Sequence, residues 1–153
     1  MSHTNEPGDV LAAIAMGGLT AGTLDIGAAV LISGRDPVFI LQFIASGLLG
    51  KASFEGGAGS AAYGMILQWA MSLVIAAIFT AAALRAHRLR RHWIAAGLAY
   101  GLGIFLVMNY LVVPFSAVGR FPNFSPKTFA LNLAAMGAFG LIVSAAARNR
   151  LGR

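Results

Sequence analysis

The sequence predicts an all-α protein that crosses a membrane several times, and three observations indicate this fold class. Hydrophobic residues make up 58% of the 153-residue chain and charged residues make up only 10%. The mean hydropathy is +0.78. A soluble domain has roughly a quarter charged residues, and a soluble chain of this length cannot hide so much apolar surface. The composition excludes an ordinary soluble enzyme, a disordered chain and a disulfide scaffold.

Four apolar runs are long enough to cross roughly 30 Å of hydrocarbon, which takes about 20 helical residues. We expect Asp9 to cap the first of these helices and Pro114 to end the third. A polar leader (1–9) precedes this single transmembrane domain (10–147), and a basic tail (148–153) follows it. The four predicted spans are residues 10–33, 61–84, 93–113 and 127–147.

A fifth apolar segment, residues 38–50, has about 13 residues, too few to cross the bilayer. We therefore predict a short interfacial or re-entrant helix here, followed by a flexible Gly-rich loop over residues 51–60. Charged residues flank this helix, and they are candidates for salt bridges on its side of the membrane. They are Arg35, Asp36, Lys51 and Glu55.

The distribution of basic residues predicts that both termini are cytoplasmic. In that orientation seven Lys or Arg residues lie on the cytoplasmic side and four on the other, which agrees with the positive-inside rule. Four of the seven follow the second span closely and are candidates for contact with anionic lipid headgroups. These four are Arg85, Arg88, Arg90 and Arg91.

Each predicted span carries one strongly polar side chain at a similar depth. Asp25, Gln68, Asn109 and Asn132 each lie 15 or 16 residues from the cytoplasmic end of their span, which is roughly 22–24 Å. Asp25 is the ionisable member, and small residues on its helix face permit close contact with a neighbouring helix. The short helix lies on the same side and can cover this level. The layer is a closed structural network, a pocket for a ligand, an ion or a headgroup, or a chance alignment within the error of the helix boundaries.

The sequence contains no pattern typical of catalysis or cofactor binding. Cysteine is absent, and neither His87 nor His92 has a His or Glu partner four residues away, so we expect no catalytic residue, metal or cofactor. The basic residues stand in short segments between apolar runs, so nucleic acid is not an expected partner. The expected partners are the lipid bilayer and either further copies of the chain or a larger membrane complex.

Four motifs resemble a family of small bacterial four-helix inner-membrane proteins. They are AGTLDI (21–26), IASGLLGKASFEGG (44–57), GMILQW (64–69) and MNYLVVPFSA (108–117). The resemblance covers most of the chain and implies the fold and a location in the bacterial inner membrane, but no reaction. Asp25 and Glu55 match the family pattern. Gln68 departs from it, because relatives often have His there, and this argues against His-based proton or metal chemistry at that level.

Three functions are consistent with these features. The first is an accessory, structural or ligand-binding membrane subunit built round the buried polar layer. The second is an oligomeric transporter or channel that couples to protons or ions through Asp25. The third is an intramembrane enzyme that acts on lipid, and it ranks last because no nucleophile–base pair or metal cluster is evident.

Overall fold

The computed structural model describes residues 6–151, and all regular structure in that range is helical, which confirms the all-α fold class. Five helical stretches there are long and apolar enough to cross a membrane, where the sequence predicts four. The additional one joins α2 to a 3₁₀ helix and has 19 residues. The elements are α1 (Pro7–Ser33), α2 (Pro37–Leu49), the 3₁₀ helix (Gly50–Glu55), α3 (Gly57–Arg85), α4 (His87–Arg91), α5 (Trp93–Val107), a π-helical turn (Met108–Val112), α6 (Val113–Phe115) and α7 (Pro126–Leu151).

The first helix begins, and the last helix ends, at residues that differ from the prediction. Helix α1 begins at Pro7 with Glu6 as N-cap, and Asp9 lies in its first turn, so the predicted Asp9 cap is wrong. Proline suits this first position because it lacks the N–H that would be unpaired there. Helix α7 extends through Arg148 to Leu151, well into the predicted tail. Basic side chains in a last turn interact favourably with the helix dipole, and Leu151 is only 2% exposed.

The chain between α1 and α3 folds back on itself. Gly50 ends α2 with φ 62° and ψ −151°, a backbone conformation that residues with a Cβ atom rarely adopt. After this bend the rings of Phe39 and Phe54 lie 5.4 Å apart, centroid to centroid. A straight helix would separate residues 39 and 54 by about 22 Å. The flexible loop predicted for residues 51–60 is therefore wrong: it is a 3₁₀ helix and the first turn of α3.

Helix α5 does not end at Pro114, contrary to the prediction. It continues through the π-helical turn and α6 to Phe115. Proline lacks an N–H and its ring collides with the carbonyl four residues earlier, which disrupts an α-helix. Here the helix widens before the proline, and the Val113 N–H donates to the carbonyl of Met108, five residues back. The wider turn lets the chain stay helical through Pro114.

The long helices form an antiparallel row in the order α3, α1, α7, α5, and this row closes on itself where Tyr100 of α5 contacts Ile75 and Phe79 of α3. Gly18 and Gly22 of α1 let α3 approach closely: a β carbon at Gly18 would lie 2.9 Å from Leu73 Cα, and one at Gly22 would overlap Ser72. We call one end of the row the α2 end; it holds Ser33, α2, Gly57, residues 116–125 and Pro126. The opposite, α4 end holds Pro7, Arg85, α4, Trp93 and Leu151.

Large apolar side chains cover the outside of the row. Leu31 is 84% exposed, Leu11 67% and Ile66 63%. Soluble monomers rarely expose large contiguous apolar patches, whereas helices in a bilayer place such side chains against lipid. The structure is therefore compatible with insertion of these helices into a membrane.

Candidate functional site

The Asp25 carboxylate on α1 is hydrogen-bonded to Gln68 on α3. Gln68 Nε2 donates to Asp25 Oδ2 at 2.9 Å and to the Gly22 carbonyl at 3.4 Å. Gln68 is 7% exposed, and Asp25 is half-buried. Glycine at position 22 lets α1 and α3 approach closely, because a larger residue there would collide with Ser72. This close approach brings the Asp25 and Gln68 side chains within hydrogen-bonding distance.

Asn109 and Asn132 are bonded to their own helices, not to Asp25. Asn109 Nδ2 donates to the Phe105 carbonyl at 2.9 Å, and Asn132 Nδ2 donates to the Thr128 carbonyl at 2.7 Å. Since a carbonyl accepts only from the NH₂ group, these bonds assign the amide orientation and leave each Oδ1 as an acceptor. Asn109 lies in the π-helical turn, and such turns are frequent at functional sites.

All four polar residues line one cavity of about 310 Å³ between the helices. Helices α1, α2, α3, α5, α6 and α7 all contribute to its wall. The remaining lining is almost entirely apolar: Ala29, Phe43, Ile44, Gly47, Leu48, Leu67, Met71, Phe105, Met108, Val112, Val113, Ser116, Val118 and Met136. A carboxylate and three amides therefore share a mainly hydrophobic chamber.

Helix α2 and the segment after α6 cover part of the cavity and form two of its walls. Phe43 and Gly47 of α2 lie on one wall, and Ser116 and Val118 lie on another. The Ala117 N–H donates to the Gly47 carbonyl at 2.9 Å, so the two covering segments are joined. Hydropathy does not predict that residues 116–118 contribute to the cavity wall. The one available signal is Pro114, because a proline inside a long apolar run indicates an irregular helix.

Two further cavities adjoin the first at Asp25 and Gln68. One, of about 410 Å³, extends towards the α2 end and reaches Asn123 and Thr128. The other, of about 40 Å³, extends towards the α4 end as far as Ile75 and Phe139. At that depth the Tyr100 hydroxyl donates to the Ile75 carbonyl at 2.7 Å and its ring packs 5.1 Å from Phe79. The polar chamber thus widens towards one end of the bundle only.

The charged residues expected to pair beside α2 have separate surroundings. Asp36 Oδ1 caps α2 by accepting from the Val38 N–H at 2.8 Å. The Arg35 guanidinium lies 4.9 Å from the centre of the Phe39 ring, and Glu55 is exposed. Lys51 lines a different cavity, of about 270 Å³, together with Arg120.

At the α4 end, the four arginines proposed for lipid contact divide into two groups. Arg85, Arg88 and Arg91 are exposed. Arg90 donates instead to the Leu151 carbonyl, one of the carbonyls left without a helical partner at the end of α7. Arg148 stacks over the Trp93 ring at 5.4 Å, which joins α7 to the start of α5.

Comparison with known proteins identifies no relative of this chain. No family model matches the sequence, no curated protein matches it, and no solved structure matches it. Among residues 6–151, no group of three or more His, Asp or Glu side chains is placed to share a metal ion.

Proposed function

We propose that this chain is a membrane protein that binds a small molecule with an apolar body in the cavity beside Asp25. The observation that carries the proposal is the position of the Asp25 carboxylate, hydrogen-bonded to Gln68 on the wall of a chamber of about 310 Å³. Small-molecule sites are typically cavities of about 300–1,000 Å³ with apolar walls and a few convergent polar groups. An ionisable residue within a membrane span is by default a candidate functional group.

A closed structural network explains this geometry less well. In such a network the polar groups on neighbouring helices satisfy one another across the interface. Here Gln68 is the one residue among residues 6–151 whose side chain bonds to Asp25, while Asn109 and Asn132 bond to carbonyls of their own helices. Their carbonyl oxygens remain available to an occupant of the cavity.

Filling the cavity from α2 tests this proposal. A β carbon at Gly47 would come no closer than 4.0 Å to any neighbour, at Ser116, so Gly47→Leu places its side chain in the chamber without a backbone collision. We expect small amphipathic compounds that raise the Tm of the purified wild-type protein to lose this effect in Gly47→Leu. A ligand that binds the native state stabilises it by RT ln(1 + L/Kd), where L is the free ligand concentration, and this stabilisation is lost when the filled cavity prevents binding.

Gly103→Leu is the matched control, because a β carbon at Gly103 would meet no atom of another described element within 4 Å and Gly103 does not line the cavity. It should respond to the same compounds as the wild-type protein does. Equal stabilisation of Gly47→Leu and Gly103→Leu would show that the compounds bind elsewhere and would contradict the proposal.

We further propose four crossings, with both termini on the cytoplasmic side of a bacterial inner membrane. Helices α1 and α3 are antiparallel neighbours, so residues 34–56 leave and re-enter at the same end. The 13 residues of α2 span about 20 Å, which is too short to cross, and the 3₁₀ helix folds back beside it. The seven-to-four distribution of basic residues supports the orientation.

Single cysteines test this topology, since the natural chain has none. We introduce them at the exposed positions Arg35, Ala58 and Ala86. A membrane-impermeant thiol reagent should label Arg35→Cys and Ala58→Cys from outside intact cells, and Ala86→Cys only after lysis. Labelling of Arg35→Cys and Ala58→Cys from opposite sides would mean that α2 crosses, and the four-crossing proposal would be wrong.

Transport is the second candidate, and the series of three cavities favours it. Asp25 and Gln68 line all three, which together lead from the α2 end towards Tyr100. In a transporter the Tyr100 contact with Ile75 would have to open to release the ligand at the α4 end. Uptake of a bound compound into proteoliposomes would favour this candidate, whereas binding without uptake favours a binding subunit.

A further inference from the structure

We infer that the cavity beside Asp25 selects a ligand with a primary ammonium group on a short apolar body. This inference depends on the proposed function, because it names the chemistry of the molecule that the cavity binds. It follows from the hydrogen-bonding groups that the cavity presents, from its charge and from its aromatic walls.

The cavity offers more acceptors than donors. Gln68 uses both N–H groups of its amide, one on Asp25 Oδ2 and one on the Gly22 carbonyl. Asn109 and Asn132 each use one N–H on their own helix. Three amide carbonyl oxygens and Asp25 Oδ1 therefore remain as acceptors, against one N–H on each asparagine. A ligand rich in N–H donors satisfies this set better than one rich in acceptors.

The charge of the cavity points in the same direction. Asp25 is the one charged residue among the residues that line it, and the adjoining cavities contain no Lys, Arg or His among their described lining residues. An opposite charge close by stabilises a carboxylate that is partly shielded from water. A positively charged ligand supplies this charge, and the rings of Phe43 and Phe105 on the walls favour a cation further.

A primary ammonium fits this site better than a quaternary one. It brings three N–H donors to a site whose free groups are mainly acceptors, whereas a quaternary nitrogen has no donor and leaves those oxygens unpaired. The apolar side chains of Leu48, Met71 and Val112 then surround the body of the ligand. The structure therefore assigns the polar residues to the ammonium group and the apolar walls to a short hydrocarbon or aromatic body.

A series of ligands that differ only in their polar group tests the inference. We measure saturable binding of radiolabelled hexylamine, hexanol, hexanoate and hexyltrimethylammonium to the wild-type protein in nanodiscs of uncharged lipid. Hexylamine should bind at least about tenfold more tightly than hexanol, since a hydrogen bond between charged groups is stronger than one between neutral groups. Equal binding of the two would overturn the ammonium inference and leave the proposed function intact. If none of the four compounds binds saturably, both the ammonium inference and the proposed function are overturned.

Asp25→Asn tests the role of the carboxylate itself. The substitution keeps the shape of the side chain and an oxygen that accepts from Gln68, but it removes the charge. The ratio of hexylamine to hexanol affinity should fall from at least about tenfold to within about threefold. Gly103→Leu, remote from the cavity, should keep the wild-type ratio. A ratio in Asp25→Asn as high as in the wild type would overturn the inference, and if this variant does not fold, the ligand series on the wild-type protein decides.

Discussion

Gly101→Ala should lower the free energy of unfolding by about 2–3 kcal/mol. At this point α5 and α7 pack backbone against backbone, and a β carbon on Gly101 would overlap the Met136 carbonyl. Gly97 and Gly140 line the same contact from the two helices, so neither backbone has a flexible side chain that can move aside. One added methyl group must therefore separate the helices and reduce their contact, which a denaturation titration of the purified protein in mixed micelles measures.

Gly103→Ala, on the same helix, is the matched control for this prediction. A β carbon at Gly103 meets no atom within 4 Å, so the substitution should keep or raise stability, by up to about 1 kcal/mol, through better helix propensity. If the two substitutions change the free energy of unfolding in opposite directions, close packing and not helix propensity determines the effect of an alanine at Gly101. Equal effects at both positions would mean that α5 and α7 are not in contact at Gly101.

Asp25→Leu should also destabilise the protein strongly, whereas Asp25→Asn should leave it folded. Leucine removes the acceptor of the 2.9 Å bond from Gln68 Nε2 and leaves this buried amide N–H without its main partner. Each buried group left unpaired costs about 1–3 kcal/mol. Asparagine retains an oxygen that accepts from Gln68, so its effect on the unfolding free energy should be much smaller.

A double-mutant cycle separates the hydrogen bond from the packing of leucine at position 25. Gln68→Leu alone should destabilise, because it leaves Asp25 unpaired in the same way. The double variant Asp25→Leu with Gln68→Leu should be more stable than the sum of the single effects predicts, because replacing both partners leaves no orphaned group. Strictly additive effects would show that the two side chains do not interact.

The polar level illustrates how much of the site can be predicted from sequence. Equal distances along four helices are enough to propose that Asp25, Gln68, Asn109 and Asn132 share a depth, since each residue adds about 1.5 Å to a helix. In the structure these four residues line one cavity. Depth alone does not say which of them bond to each other, and the two asparagines bond to their own backbone instead.

The covering segments illustrate what sequence patterns miss. The apolar length of residues 38–50 indicates a helix that is too short to cross, but not that Gly50 turns the chain back on α2. Likewise, Pro114 indicates an irregularity without showing that a π-helical turn keeps the helix continuous. Hydropathy also does not show that the two covering segments meet, which they do through the bond from the Ala117 N–H to the Gly47 carbonyl.

The sequence by itself determined the helical class and the apolar segments, and it predicted that the four polar residues lie at one level along the helices. These properties follow from composition and helical rise, because backbone groups in hydrocarbon must be satisfied within each segment. The tertiary structure alone decided the order of the helices, the Asp25–Gln68 pair and the cavity. These depend on which face of each helix meets its neighbour, and glycines such as Gly22 and Gly101 determine how closely the backbones approach. Hydropathy averages over all faces of a helix, so it carries no information about that choice.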